Sequence, residues 1–343
     1  MVTLKEIANS AGVSLSTVSA VLNNKKYCYT SSEKRKRILE VAENLGYLPN
    51  INSRALRGMP TNTIGIISSP FNIPIHSECI YHITSLLNSR GYHVFFGDSQ
   101  KCTPQKEDNM IKEFLSRGVD GLIINSERTT DTIRSMIPAC KIPIVNIANN
   151  YGQTGDKWSV SIDRGSGLYS ATEHMIKCHG KKKIAFHARS IDANMHKLNG
   201  YRDALEKNGV QFTTDLCIEI DAIPNRFKIM KDFILTHKPD AFVTTNDELA
   251  FEILRLCYEM NIKVPDDIAV IGFDGLNFGG MFIPSLSTVR QPVELLAEKA
   301  VEILIRNILE KIEPEKPTLI KPELVLRESC GCKKARSETP FKI

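Results

Sequence analysis

The chain opens with TLKEIANSAGVSLSTVSAVLN (residues 3–23), two short helical patterns separated at Gly12. Thr3 and Glu6 have the spacing of a capping box, so the first helix is predicted to begin immediately after Thr3. Gly12 permits the sharp turn that follows, and Ser14 can cap a second helix of about eight residues. The stretch therefore predicts two short helices joined by a tight turn.

The second helix has one apolar face and one face of short side chains. Val18, Val21 and Leu22 keep the spacing of a buried stripe. The opposite face carries Leu15, Ser16, Ser19 and Ala20. Short side chains let a helix approach base edges in a major groove about 12 Å wide. This face is a candidate DNA surface, although helical hairpins alone are weak evidence.

A third helix is predicted after the capping box formed by Thr30 and Glu33, with Gly46 as its end. Its spacing directs four apolar side chains inward: Ile38, Val41, Ala42 and Leu45. The segment 50–58 follows, bounded by Pro49 and Pro60. An isolated helix of that length is marginal in water, so it should fold only against a support such as DNA.

Positive charge is concentrated in this first part of the chain. Residues 1–59 contain nine Lys or Arg and four Glu, a net charge of +5 that equals the net charge of all 343 residues. The remainder is therefore neutral overall. This asymmetry is typical of a small nucleic-acid module attached to a neutral domain, while a solvated lysine face is the simpler alternative.

From Thr61 onward, short apolar runs alternate with helical patterns, which indicates parallel sheets covered on both faces. The runs include TIGIIS (63–68), DGLIIN (120–125) and DIAVIGFD (267–274). They predict two α/β lobes in series, with a ligand cleft at the carboxyl ends of the strands. Polar side chains collect at those ends: Asn125, Asn246, Asp247 and Asp274. Asp247 is the one we expect to be structural, as a helix cap.

The stretches TLKEIANSAGVSLSTVSAVLN, NLGYLPNINSRAL, TIGII and LVLRESCGC together closely resemble the LacI/GalR family of bacterial transcription regulators. The resemblance covers nearly the whole chain. It implies a helix-turn-helix that enters the major groove and a hinge that becomes helical in the minor groove. The DNA-contacting positions that it implies are Ser14, Leu15, Ser16, Thr17, Ser19, Ala20, Asn23, Thr30, Tyr47, Asn50, Arg54 and Leu56. The effector-binding positions that it implies are Phe71, Asn125, Lys197, Asn246 and Asp274.

Two departures from the family pattern bear on specificity. Ala20 stands where the family usually has Arg, so a bidentate guanine contact is missing from the second helix. Lys197 stands where the family has an effector-gripping Arg, and Ala148 stands where many members have Asp. A cleft that keeps one cation and loses one carboxylate favours an anionic effector, such as a sugar phosphate or sugar acid. Lys is also a point charge and lacks the fork of Arg.

No metal, cofactor or catalytic site is predicted. The nine cysteines are scattered, and we interpret Cys330 and Cys332 as tail thiols because one intervening residue is too few for a zinc pair. His174 and His179 are predicted to be surface residues. Gly165-Ser166-Gly167 matches neither a nucleophile elbow nor a P-loop, so it should be a loop or helix start. An enzyme is therefore disfavoured.

The sequence thus predicts an all-α helix-turn-helix headpiece (1–49), a hinge (50–60), a two-lobed periplasmic-binding-protein-like effector domain of type I (61–330) and a tail (331–343). The expected protein is a cytoplasmic homodimer that represses transcription, binds operator DNA and a small effector, and has no membrane contact. The expectation leaves room for a protein co-regulator. The alternative is a transport-type ligand-binding protein, against which stand the missing signal peptide and the basic first sixty residues.

Overall fold

The computed structural model describes residues 2–23, 30–47, 59–68, 73–99, 103–125, 142–147, 157–220 and 224–332. The chain divides into two compact units, Met1–Thr61 and Asn62–Ile343. The predicted hinge residues Asn50, Arg54 and Leu56 lie outside the described residues, as do Phe71 and Ala148.

The described residues of the first unit form three helices, α1 (Leu4–Ala11), α2 (Leu15–Leu22) and α3 (Ser32–Asn44). The predicted capping box is confirmed: the Thr3 amide donates to Glu6 Oε2 at 2.7 Å, and the Glu6 amide donates to Thr3 Oγ1 at 3.3 Å. Gly12 ends α1 with φ +68°, a left-handed conformation that glycine adopts without a Cβ penalty.

The three helices enclose a small apolar core. Ile7, Val18 and Ile38 have no exposed surface and bring one side chain from each helix to the centre. Two predictions about α3 were wrong. Ser31, rather than Thr30, caps the helix by accepting a hydrogen bond from the Lys34 amide. Leu45 is 40% exposed because the helix ends at Asn44, so the inward stripe does not extend to it.

Within its described ranges, the second unit has two six-stranded sheets, each with helices on both faces. The strands are β1 Thr63–Ser68, β2 His93–Asp98, β3 Gly121–Asn125, β4 Ile144–Ile147, β5 Ser159–Ile162, β6 Ile184–Ala188, β7 Cys217–Glu219, β8 Ala241–Thr244, β9 Ala269–Asp274, β10 Ser287–Arg290, β11 Thr318–Ile320 and β12 Glu323–Val325. The helices are α4 Pro74–Asn88, α5 Pro104–Ser116, α6 Arg164–His179, α7 Met195–Lys207, α8 Arg226–His237, α9 Asp247–Glu259 and α10 Val293–Glu310.

The first lobe is built on a sheet of order β11-β5-β4-β3-β1-β2, in which every pair is parallel. The second lobe has the order β12-β10-β9-β8-β6-β7, parallel except for the pair of β10 with β12. The lobes are not in series as predicted. After β10, helix α10 and strand β11 return to the first lobe, and β12 then joins the second.

Side chains of the central strands alternate between two apolar cores. In the first lobe, Ile66 and Ile123 pack under α4 and α10, while Ile67 and Leu122 pack under α5. All four side chains are fully buried. Strands buried on both faces explain why the sequence shows continuous apolar runs instead of strict alternation.

The predicted fold class, a helix-turn-helix headpiece and a two-lobed α/β domain, is confirmed by these elements. Within the part of the chain that the structure describes, no helix has the length and apolarity needed to cross a membrane.

Candidate functional site

The amino-terminal end of α2 carries a cluster of hydroxyl groups on the headpiece surface. Ser14 Oγ accepts a hydrogen bond from the Thr17 amide at 3.2 Å and lies 2.8 Å from both Ser16 Oγ and Thr17 Oγ1. Leu15 is 51% exposed on the same turn. A helix amino terminus with solvent-exposed hydroxyls attracts phosphate oxygens, and an exposed leucine can contact thymine methyls.

The rest of α2 is less open than the sequence suggests. Ser19 and Ala20 are half-buried, and Asn23 folds its side chain back so that Nδ2 donates to the Ser19 carbonyl at 2.7 Å. Thr30 is half-buried beside the α3 cap, and Tyr47 packs against the headpiece core. All of these predicted DNA-contacting side chains lie in the headpiece, and two of them, Asn23 and Tyr47, have structural contacts within it.

A cleft of about 460 Å³ lies between the two lobes of the second unit. The first lobe contributes the segment 73–76, at the start of α4. The described lining from the second lobe consists of Arg164, Arg189, Ser190, Ala193, Asn194, Lys197, Thr245, Asn246, Glu248, Asp274, Leu276 and Gln291. Most of these follow the carboxyl ends of strands, where open α/β sheets bind ligands.

Helices α6 and α7 hold two cations at the cleft. They cross where Gly165 meets Gly200, and a Cβ on Gly200 would collide with the Gly165 backbone. This close approach places Arg164, the first residue of α6, near the first turn of α7, which carries Lys197. Gly165 to Gly167, predicted to be a loop or a helix start, form the first turn of α6.

Lys197 is a buried ammonium at the base of the cleft. Its Nζ donates to the Thr245 carbonyl at 2.6 Å and lies 3.9 Å from the ring centroid of Phe273. Only 6% of the residue is exposed. A carbonyl and an aromatic face both stabilise a cation, and the Asp274 carboxyl lies close enough to interact with the Lys197 charge.

Asp274 ends strand β9 in a conformation that is rare for a side chain other than glycine, with φ +121°. Its Oδ1 accepts a hydrogen bond from Gln291 Nε2 at 2.7 Å, and its carbonyl accepts from the Gln291 amide at 3.1 Å. Burial raises the pKa of Asp274, against the opposing pull of the Lys197 cation. Backbone strain of this kind costs about 1–3 kcal/mol and is concentrated at ligand sites.

Asn246, rather than Asp247, forms the helix cap that was expected of Asp247. Asn246 Oδ1 caps α9 by accepting from the Leu249 amide at 2.9 Å, while the residue also lines the cleft. Asp247 is fully buried and accepts from Thr288 Oγ1 at 2.6 Å. Its other oxygen accepts from the Leu276 amide at 2.7 Å. Burial, followed by the nearby Asp274, raises the pKa of Asp247 to about 7.

Asn125, predicted to bind the effector, is not among the described residues that line the cleft. It is buried, and its Nδ2 donates to Ser68 Oγ at 3.2 Å. This hydrogen bond joins the ends of two neighbouring strands, β3 and β1. Asn125 therefore has a structural hydrogen bond at the end of its strand. Amide side chains at strand ends can serve either structure or ligand binding.

Two arginines that line the cleft were not among the predicted effector-binding residues. Arg164 follows strand β5 and Arg189 follows strand β6, so the carboxyl-end rule that selected Asp274 also selects them. Arg189 Nη2 lies 3.5 Å from Glu248 Oε2, and this ion pair sits beside the cleft. With Lys197, the described cleft has three cationic side chains and two carboxylates, those of Glu248 and Asp274.

The interpretation of Cys330 and Cys332 as tail thiols, and of His174 and His179 as surface residues, is wrong. Cys330 is 1% exposed, and the other three side chains are half-buried. The four lie together where the end of α6 meets the carboxy-terminal segment, because that segment packs against the second lobe.

Comparison with known proteins agrees with both units. The family model "Bacterial regulatory proteins, lacI family" matches residues 3–50, and the model "Periplasmic binding protein-like domain" matches residues 173–330. Residues 3–50 therefore form a DNA-binding domain of the lacI family. LacI-family members are DNA-binding transcription regulators, so this protein is a regulator and not an enzyme.

The relatives extend over the full length of the chain. The HTH-type transcriptional repressor PurR of Histophilus somni (strain 2336) is 29% identical over 335 residues, covering 96% of this chain and 99% of PurR. PurR of Haemophilus influenzae (strain PittEE) is 28% identical over 337 residues, covering 96% and 98%. The lac repressor dimer bound to operator and the anti-inducer ONPF superposes with a TM-score of 0.84 at 25% identity, covering 96% of this chain and 99% of that one.

Proposed function

We propose that the protein is a homodimeric transcriptional repressor whose affinity for operator DNA is set by a small anionic effector bound between the lobes. The domain boundaries of the proposal are a headpiece of residues 1–49, a hinge of 50–60, an effector domain of 61–330 and a tail of 331–343. The three cationic side chains that converge on the cleft carry the effector assignment.

The DNA-binding part of the proposal rests on the headpiece. Ser14, Leu15 and Ser16 present hydroxyls and an exposed leucine at the amino terminus of α2. Along α3, Lys34, Lys36 and the neighbouring cations lie on the exposed side. The first group suits base and phosphate contacts, and the second adds positive potential that attracts the DNA backbone.

The remaining proposed DNA contacts follow the family resemblance. Within the helices these are Thr17, Ser19, Ala20, Asn23, Thr30 and Tyr47, and in the hinge they are Asn50, Arg54 and Leu56. We propose that the two hinges of a dimer become helical together on DNA, with Leu56 as an apolar wedge between base pairs. The solved lac repressor complex, a dimer on operator with a bound small molecule, supports this arrangement by its similarity.

The effector part of the proposal follows from the charges and hydrogen-bonding groups of the cleft. Arg164, Arg189 and Lys197 supply positive charge, which Glu248 and Glu252 offset in part at Arg189 and Asp274 offsets in part at Lys197. Asp274 supplies an acceptor that Gln291 and the backbone hold in place. A phosphate or carboxylate next to several hydroxyls matches this combination, so a sugar phosphate or sugar acid is the proposed class.

A thermal-shift screen of the full-length protein tests the effector class. The panel pairs each sugar phosphate and sugar acid with its uncharged sugar, and adds nucleobases as a separate class. A ligand that binds the folded state raises the melting temperature by mass action. The proposal expects the anionic member of a pair to stabilise more than its uncharged partner. Stabilisation by a nucleobase, or by an uncharged sugar alone, would refute it.

DNA binding distinguishes the proposed repressor from a transport-type ligand-binding protein. The full-length protein should select particular sequences from random duplex DNA, and the effector identified above should change the affinity for the selected sequence. A protein that binds the effector but selects no DNA sequence would support the transport-type function instead.

A further inference from the structure

Four side chains with metal-binding atoms converge at the carboxyl end of α6, and we call them the four-ligand cluster: His174, His179, Cys330 and Cys332. All four ligand atoms lie within 4.8 Å of one another. The cluster belongs entirely to the second lobe, where α6 and the carboxy-terminal segment share one apolar core. It has no part in the cleft or in the headpiece.

Four of the six separations within the cluster match those of a tetrahedral metal centre. Zinc binds sulfur at about 2.3 Å and imidazole nitrogen at about 2.0–2.1 Å, so a tetrahedral site has nitrogens about 3.3 Å apart and sulfur–nitrogen edges of about 3.6 Å. The two histidine Nε2 atoms are 3.1 Å apart. Cys332 Sγ lies 3.4 Å from His174 Nε2 and 3.5 Å from His179 Nε2. Cys330 Sγ lies 3.7 Å from His174 Nε2.

Hydrogen bonds alone do not account for this arrangement. His174 Nε2 faces three partners, His179 Nε2 and the sulfurs of Cys330 and Cys332. A neutral imidazole nitrogen offers either one proton or one lone pair, so it can form one strong hydrogen bond in this direction. A cation among the four ligand atoms would satisfy them at once, because they all lie within 4.8 Å of one another.

The backbone between the two cysteines is adapted to the same geometry. Gly331 has φ +101°, and a Cβ at this position would lie 3.0 Å from His179 Nδ1. A side chain here would strain the turn and press on the imidazole ring. The short spacing of the cysteines, which argued against a zinc pair, is compensated by a turn that only glycine adopts easily.

We propose that the four-ligand cluster is a structural zinc site that fastens the carboxy-terminal segment to the end of α6. Two thiolates and two imidazoles are a ligand set that zinc favours. On binding, the two thiols release their protons to solvent, and Zn²⁺ with two thiolates and two neutral imidazoles has no net charge. Four protein ligands leave no open position, which distinguishes a structural site from a catalytic one.

The spacing of the histidines supports the same assignment. Four residues separate His174 from His179, within the range of histidine pairs in zinc sites. His179 is the last residue of α6, and Gly180 ends the helix in a left-handed conformation. The metal therefore holds the end of a helix that starts, 15 residues earlier, with the cleft residue Arg164.

The first test measures metal in the full-length protein purified under reducing conditions. Elemental analysis after dialysis should find about one Zn²⁺ per chain. Replacement by Co²⁺ should give intense tetrahedral ligand-field absorption in the visible range and a thiolate-to-cobalt charge-transfer band. These spectra require no substitution, so they test the proposal even if variants at the cluster fold poorly.

The second test assigns the site with matched variants. Cys332→Ser and His174→Gln should lose stoichiometric zinc and the charge-transfer band or greatly weaken both. Cys178→Ser is the control, because Cys178 is exposed and lies on α6 between the two histidines. It should retain both. Chelation should lower the melting temperature of the native protein and of the control.

Three outcomes would overturn the proposal. One is reduced protein that binds neither Zn²⁺ nor Co²⁺. Another is zinc that stays bound in the Cys332→Ser and His174→Gln variants, since the metal would then lie elsewhere. The third is a disulfide between Cys330 and Cys332 in freshly purified protein that persists in the presence of excess zinc and reductant.

Discussion

Replacement of Lys197 by methionine tests the anionic-effector proposal most directly. Methionine keeps an unbranched stem and removes the ammonium that donates to the Thr245 carbonyl. At an effective dielectric constant of about 20, an ammonium and an anionic group about 4 Å apart attract each other by about 4 kcal/mol. Part of this attraction is offset because the anion loses water on binding. A charge-assisted hydrogen bond therefore contributes about 1.5–3 kcal/mol net, so Kd should rise about 10- to 150-fold.

The assay is calorimetric titration of Lys197→Met with the most stabilising anionic ligand and with its uncharged counterpart. The anionic ligand should lose most of its advantage over the uncharged one. Lys207→Met is the matched control, because Lys207 is an exposed lysine at the other end of α7, outside the described cleft. Equal losses for both ligands would show that Lys197 acts through packing alone. An unchanged Kd would remove Lys197 from the site.

Four further substitutions probe other parts of the protein. Gly12→Ala should lower the free energy of unfolding of the headpiece by about 1–2 kcal/mol, because φ is +68° there; chemical denaturation measures it. Ala20→Arg should raise the preference for guanine by about 1–3 kcal/mol per half-site in selection from random DNA. Leu56→Ala should weaken operator binding and DNA bending but leave non-specific binding nearly unchanged; equal losses would argue against a wedge. Burial raises the pKa of Asp247 from 3.8 to about 7 in the folded protein, so its contribution to stability falls as pH rises from 3.8 to 7. Chemical denaturation at several pH values should show a smaller fall in the free energy of unfolding for Asp247→Asn.

Local patterns predicted the helices and central strands well. The capping box at Thr3, the turn at Gly12 and the apolar runs such as TIGIIS depend on neighbours in sequence, and all three are present. Errors arose where a pattern was extended past its element. Leu45 continues the apolar stripe of α3, but the helix ends one residue before it. The return of α10 and β11 to the first lobe depends on long-range packing, which local periodicity cannot predict.

The candidate site was only partly predictable because a polar residue at the end of a strand can stabilise the fold, bind a ligand or do both. The carboxyl-end rule found Asp274 and Asn246 but, applied only to amides and carboxylates, it passed over Arg164 and Arg189. Asn246 shows the difficulty, since it caps a helix and lines the cleft at once. The ligand pairs of the four-ligand cluster are more than 150 residues apart in sequence. Each pair is ambiguous alone, and only the fold brings them together.

The path of the chain through the two lobes also governs how the protein can be made. The first lobe receives its helix α10 and its edge strand β11 from residues 293–320, after nearly all of the second lobe has been synthesised. A ribosome-bound chain therefore exposes part of the apolar surface of the first sheet until those residues emerge. Neither lobe corresponds to one continuous gene fragment. Expression of a single lobe requires a fusion that supplies the missing helix and strand, and a stop codon before residue 293 should yield an aggregating product.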